Sequence, residues 1–239
     1  MTTAPIHPYD RSMVVADRRA ALAFRVVAAL LIALGITRLL GIGDPPISFS
    51  TLLFYTMQSN ILCLVWMVLL IIRTVKDLRA AGAKGWSSPS PRVGGAVMQA
   101  ITVTMLIYLV VLLPQSEPGY VPFTLTDTLV HVVTPVLLIL DWALFSPKGR
   151  FRGWDPLIWA ALPYLYLLFA FGWGALGGEF SPGRSFPYPF MDIGTLGLSG
   201  VALWIVALTV ALVAVGYLFL LIDRVLGTVA VRRAAAVAP

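Results

Sequence analysis

The stretch TLTDTLVHVVTPVLLILDWALF, residues 124–145, decides the fold. A membrane-crossing helix needs about 20 mostly apolar residues, and this run supplies them. Within it Thr124, Asp127, Thr128, His131, Thr134 and Pro135 recur at steps of three and four, and the same seam continues to Asp141 and Trp142. An ionisable side chain at membrane depth is costly unless it is partnered, so this seam is expected to face protein and His131 is a candidate functional residue. The other histidine, His7, lies in the polar N-terminal tail.

Working outward, five further runs have the length and apolarity of a span: 21–40, 51–72, 93–113, 157–176 and 198–222. The chain has 239 residues, is 59% hydrophobic and only 12% charged, and has a mean hydropathy of +0.89, a composition foreign to soluble domains. The sequence therefore predicts an all-α, polytopic integral membrane protein: a bundle of six transmembrane helices over 21–222, with tails at 1–20 and 223–239. Lys and Arg number three in the N-terminal tail, five in the second connection, three in the fourth and three in the C-terminal tail, while the odd connections hold only Arg184. By the positive-inside rule both termini are expected to be cytoplasmic. The first helix is expected to act as an uncleaved signal anchor.

A net charge of +6 and a pI near 9.8 invite a nucleic-acid reading. The basic residues all sit near membrane ends, so topology explains them and no nucleic-acid partner is expected. Cys63 is the lone cysteine, which excludes an internal disulfide and a cysteine metal cluster, and neither a phosphate-binding loop nor a zinc-protease motif is present. Neither cofactor nor metal is expected. The second connection, 73–92, reads as a mobile linker.

A second polar stripe, Thr56, Ser59, Asn60 and Cys63, occupies one face of the 51–72 helix at i, i+3, i+4 and i+7. Counted from the midpoints of their spans, Thr56 and His131 differ in depth by only ~2 Å. A hydroxyl beside an imidazole is the minimal nucleophile and general-base pair. Packing alone also accounts for a threonine bonded to its own helix, and a helix-bridging hydrogen bond accounts for a membrane histidine. Asp141 lies about 15 Å along the helix from His131, too far to orient it, and is expected to pair with a nearby cation or cap a polar cluster. Arg38 either attracts an anionic substrate group or snorkels to the interface.

Three segments carry a resemblance: FYTMQSN at 54–60, His131 followed by Pro135 and Asp141, and YPFMD at 188–192. In order and spacing they resemble the androgen-induced (FAR-17a-like) multipass membrane hydrolases and their prokaryotic six-span relatives. The resemblance implies a hydrolase of fatty acid esters of hydroxy fatty acids or similar long-chain lipid esters, acting without metal or organic cofactor in a bacterial plasma membrane. It implies His131 as base and, as nucleophile, Thr56 on the Phe-x-Thr pattern or Thr51 on the spacing to Gln58. Thr56 is preferred, because Thr51 would lie about 9 Å further out than His131. Gln58, Ser59, Asn60, Thr128, Thr134, Asp141, Arg38, Tyr188 and Asp192 are the pocket or supporting residues, and the aromatic fifth connection, 177–197, is a lid or an interfacial anchor. The competing readings are a proton-coupled transporter using His131 and Asp141, and a non-catalytic membrane scaffold.

Overall fold

The computed structural model describes residues 13–43, 46–116 and 118–236; His7 lies outside them. The described residues are all-helical and contain no strand. The main helices are α1 (Arg18–Leu39), α2 (Tyr55–Ala81), α3 (Pro91–Gln115), α4 (Leu125–Phe145), α5 (Asp155–Ala175) and α6 (Ile193–Ala236). Five of them, all but α2, are long and apolar enough to cross a membrane by length and composition. Two run past the expected spans: α2 continues to Ala81, and α6 continues through the expected C-terminal tail to Ala236.

Local chemistry sets the helix starts. Asp17 accepts from the N–H groups of Arg19 and Ala20 at the head of α1, and Ser90 caps α3 just ahead of Pro91, whose missing N–H costs nothing there. Asp192 caps α6 through the N–H of Thr195 at 3.2 Å. That helix breaks at Gly197, whose φ of +66° and ψ of 170° a residue with a side chain rarely adopts, so the straight apolar run begins at Leu198.

α1 packs on α2 and α4, α2 on α3, and α3 on α4; α5 and α6 join the bundle through α3. Ile32, Met57, Met67, Met98 and Ile101 form the fully buried centre. Gly35 lets α1 lie against the middle of α4, where an added Cβ would meet Val130 at 3.1 Å and Leu129 at 3.2 Å. Small residues at such crossings are how membrane helices gain packing without a hydrophobic drive.

At the end of the bundle where α1 begins, Arg25 is fully buried and bonds Asp141 through Nε at 2.7 Å and Nη2 at 3.3 Å. Its Nη1 reaches the Thr74 hydroxyl at 2.6 Å and the Ser87 carbonyl at 2.9 Å. This node joins α1, α2, α4 and the second connection. The connection itself, expected to be a mobile linker, is tied down: the Arg18 guanidinium donates to the carbonyls of Gly82 and Lys84 and to the Ser87 hydroxyl.

Candidate functional site

Toward the other end, α3 and α4 both widen from α-helix into a π-helical segment, Ile107–Leu112 and Leu129–Val133. A proline follows each, Pro114 and Pro135. Proline has no N–H to donate and its ring crowds the carbonyl four residues back, which for Pro135 is that of His131. The widened turn relieves this clash, and the Thr134 hydroxyl donates to the Leu129 carbonyl at 3.0 Å. Such bulges recur at functional sites. Here they bring together two rings, Tyr108 from one segment and His131 from the other, stacked at 3.9 Å and 6°.

Thr56 stands in the first turn of α2, with its Oγ1 3.4 Å from His131 Nε2. Two neighbours hold it there. Asn60, fully buried, donates from Nδ2 to the Thr56 carbonyl at 2.8 Å and to the Val130 carbonyl at 3.1 Å, locking α2 to α4 one residue from His131. Ser59 donates to the Thr56 carbonyl at 3.1 Å and meets the Thr104 hydroxyl of α3 at 3.0 Å.

Two cavities meet at Thr56. One, of about 540 Å³, opens beside the connection after α3 and is lined by Thr56, His131, Gln115, Ser116 and Tyr120 among others. The second is a narrow apolar slot of about 70 Å³ running between α3, α5 and α6, lined by Ile107, Leu167, Met191, Leu208 and Leu212 among others. Thr56, Tyr108, Leu112 and Tyr188 line both. The hydroxyl therefore sits where a wide polar-edged mouth narrows into an apolar channel, a shape that suits an amphiphile with its reactive bond at the junction.

The fifth connection closes over this junction. Phe180, Phe190 and Met191 are buried, Tyr188 stacks on Phe190 at 5.3 Å and meets Phe54 edge-on at 6.1 Å. The Tyr188 hydroxyl lies beside the Thr56 side chain, and burial pushes its pKa up, so it remains a proton donor across the neutral range.

The remaining expected residues are placed as follows. Thr128 donates to the Phe123 carbonyl at 3.1 Å, restraining a residue with φ +57° whose ring sits edge-on to Tyr108. Thr134 is buried and serves the α4 bulge. Gln58 faces away from the pair and donates to the Leu52 carbonyl at 3.2 Å. Thr51 lies in the short turn Phe49–Leu53, where its hydroxyl donates to the Ser48 carbonyl at 2.7 Å, and it lines neither cavity. Arg38 bonds the Thr126 hydroxyl at 3.2 Å. Asp192 is a helix cap and Asp141 is the partner of Arg25, at the opposite end of α4 from the site. Tyr108 and Tyr120 were not anticipated; the signal available for Tyr108 was a phenol inside an apolar span. Asp127, recognised as part of the polar seam, lies 4.0 Å from His131 Nδ1.

Among the described residues no three His, Cys, Asp or Glu side chains come together as a metal site. No family model, no curated protein and no solved structure matches the chain, so the chemistry of this site rests on its own residues.

Proposed function

We propose that this protein is an integral-membrane hydrolase of long-chain lipid esters, with Thr56 as nucleophile and His131 as general base. The observation that carries the reading is the 3.4 Å approach of Thr56 Oγ1 to His131 Nε2 at the junction of the two cavities. An acyl chain lies in the apolar slot, the ester carbonyl beside Thr56, and the alcohol portion in the wider mouth. His131 Nε2 takes the hydroxyl proton as Oγ1 attacks the carbonyl carbon, then returns it to the departing alkoxide, leaving an acyl-threonine. Water, deprotonated by the same nitrogen, attacks that ester and frees the fatty acid as the proton returns to Thr56.

The likeness of the three segments to the androgen-induced (FAR-17a-like) hydrolases supports this reading, and with it a six-span prokaryotic relative of that family in a bacterial plasma membrane. Six spans are favoured because α2, 27 residues long, carries no charged side chain between Tyr55 and Ile72. The basic even connections and tails favour cytoplasmic termini, with the Thr56 and His131 site toward the outer leaflet.

The test is covalent labelling of the purified protein in lipid nanodiscs with a long-chain alkyl fluorophosphonate. The expected result is one adduct, located on Thr56 by peptide mass spectrometry and lost in His131→Ala. No labelling together with no hydrolysis of p-nitrophenyl dodecanoate would sink the hydrolase reading.

A further inference from the structure

We infer that Asp127 is a positioning residue for His131, completing a hydroxyl–imidazole–carboxylate array; the inference deepens the hydrolase reading and its catalytic consequence rests on it. For His131 Nε2 to accept the Thr56 proton, the imidazole must carry its own proton on Nδ1. That nitrogen is buried and makes no well-formed hydrogen bond, although the Asp127 backbone carbonyl also faces the ring. The Asp127 carboxylate, one helical turn earlier, has Oδ1 4.0 Å from it. A hydrogen bond there needs about 3 Å, so a small side-chain rotation closes the gap, and catalytic hydrogen bonds of ligand-free sites often tighten only when substrate arrives.

Asp127 is itself held for this task. The Thr124 hydroxyl donates to Oδ2 at 2.8 Å and the Tyr120 hydroxyl also bonds the carboxylate, while Oδ1 lies toward the imidazole. Thr124 Oγ1 also accepts from the Asp127 N–H at 3.1 Å, anchoring the first turn of α4. Tyr108 stacks on one face of the His131 ring, and its hydroxyl meets that of Tyr120 at 3.2 Å. The imidazole is thus confined in plane, and what remains to be specified is which nitrogen carries the proton. A carboxylate on Nδ1 specifies it, and it stabilises the imidazolium that forms when Thr56 gives up its proton. The plainer role of an acid in the first turn of a helix, favourable interaction with the helix dipole, accounts for stability but not for a proton's position.

Two histidines in the chain make a direct test practical. In the His7→Ala protein, labelled with 15N-histidine and held in nanodiscs, the imidazole nitrogen shifts of His131 report its tautomer without any need for turnover. The expected result is a proton on Nδ1, redistributed toward Nε2 in Asp127→Asn. With p-nitrophenyl dodecanoate, Asp127→Asn is expected to lose about 10²- to 10⁴-fold in kcat with KM and thermal midpoint little changed, and Asp127→Glu to recover part of that loss. A wild-type ring protonated on Nε2 overturns the inference even if no variant folds, as does an Asp127→Asn protein with unaltered tautomer or kcat. Expected tautomers in a wild type that cleaves no ester support the positioning by Asp127 and overturn the hydrolase reading alone.

Discussion

The two ends of the bundle surround their buried polar groups differently. At the basic end, Arg25 spends its guanidinium on Asp141, Thr74 and Ser87, in contacts of 2.6 to 3.3 Å. At the other end, His131 Nδ1 and Asn60 Oδ1 are buried without hydrogen-bond partners, two helices are locally widened, and two cavities converge. An unpartnered buried polar atom costs about 1–3 kcal/mol, and the basic end holds such atoms too, Trp142 Nε1 among them, so what sets the His131 end apart is the widened helices and converging cavities around its polar groups. By this contrast the Arg25 node is architecture, and the His131 cluster is where the proposed chemistry has room to occur.

The sharpest way to break the comparison is to remove the two groups proposed to react. Thr56→Ala and His131→Ala are each expected to lower kcat/KM toward p-nitrophenyl dodecanoate by about 10³-fold or more while leaving the thermal midpoint near wild type. Thr51→Ala, whose hydroxyl serves only its own turn, is expected to retain turnover. A dead Thr51→Ala beside an active Thr56→Ala assigns the nucleophile to the other residue.

The reverse pattern is expected at the basic end. Asp141→Asn leaves the buried Arg25 charge uncompensated, a loss of about 3–5 kcal/mol in unfolding measurements, with normal turnover in the protein that remains folded. The double replacement Arg25→Met, Asp141→Leu is expected to recover most of that stability, because it removes both charges together. If Asp141→Asn instead folds normally and loses activity, the node takes part in function and the division of labour between the two ends collapses.

Much of this division was legible in the residues. The spacing of Thr56, Ser59, Asn60 and Cys63 defined the face of α2 that turns inward, and depth counting brought Thr56 to the level of His131. The partner of Asp141 was within reach too: an arginine seven residues into an apolar helix needs an acid at its own depth. Asp127 stood on the seam as well, but the imidazole's orientation depends on the π-helical segment before Pro135, and helical counting assumes uniform turns. Tyr108 and Tyr120 were hidden for a related reason, since their contacts cross between elements and depend on how the connection after α3 folds back. Gln58 shows the opposite failure, a polar residue in the right segment on the wrong face.

Lys148, just past the end of α4, sharpens the contrast with a smaller effect. Its ammonium donates to the carbonyls of Trp142 at 2.7 Å, Ala143 at 3.2 Å and Ser146 at 2.7 Å, capping that helix. Burial pushes its pKa down to about 8, against the opposing pull of Asp223 and Asp141. Between pH 8 and the unfolded value of 10.5 the folded protein has released a proton that the unfolded chain still binds, so stability rises with pH across that window, by up to about 3 kcal/mol. Below pH 8 both states hold the proton and the cost of burying it is fully present. Thermal midpoints in nanodiscs from pH 7.5 to 10 are expected to climb for the wild type and stay flatter for Lys148→Met. A wild-type midpoint that falls over the same range would mean the three carbonyl bonds outweigh the burial.

The finest distinction concerns which cavity receives the acyl chain. Leu208 lines the narrow slot and not the wider mouth, so Leu208→Trp shortens the slot without touching Thr56 or His131. Losing room for a few methylenes in an apolar pocket is worth about tenfold in specificity. The ratio of kcat/KM for p-nitrophenyl dodecanoate over p-nitrophenyl butanoate is therefore expected to fall about tenfold, with butanoate cleavage held near wild type. The slot and the reacting pair are then shown to be separable, one reading chain length and the other breaking the bond. An equal fall for both esters would mean that the tryptophan has disturbed the pair itself, and an unchanged ratio would move the chain into the mouth and leave the slot as packing.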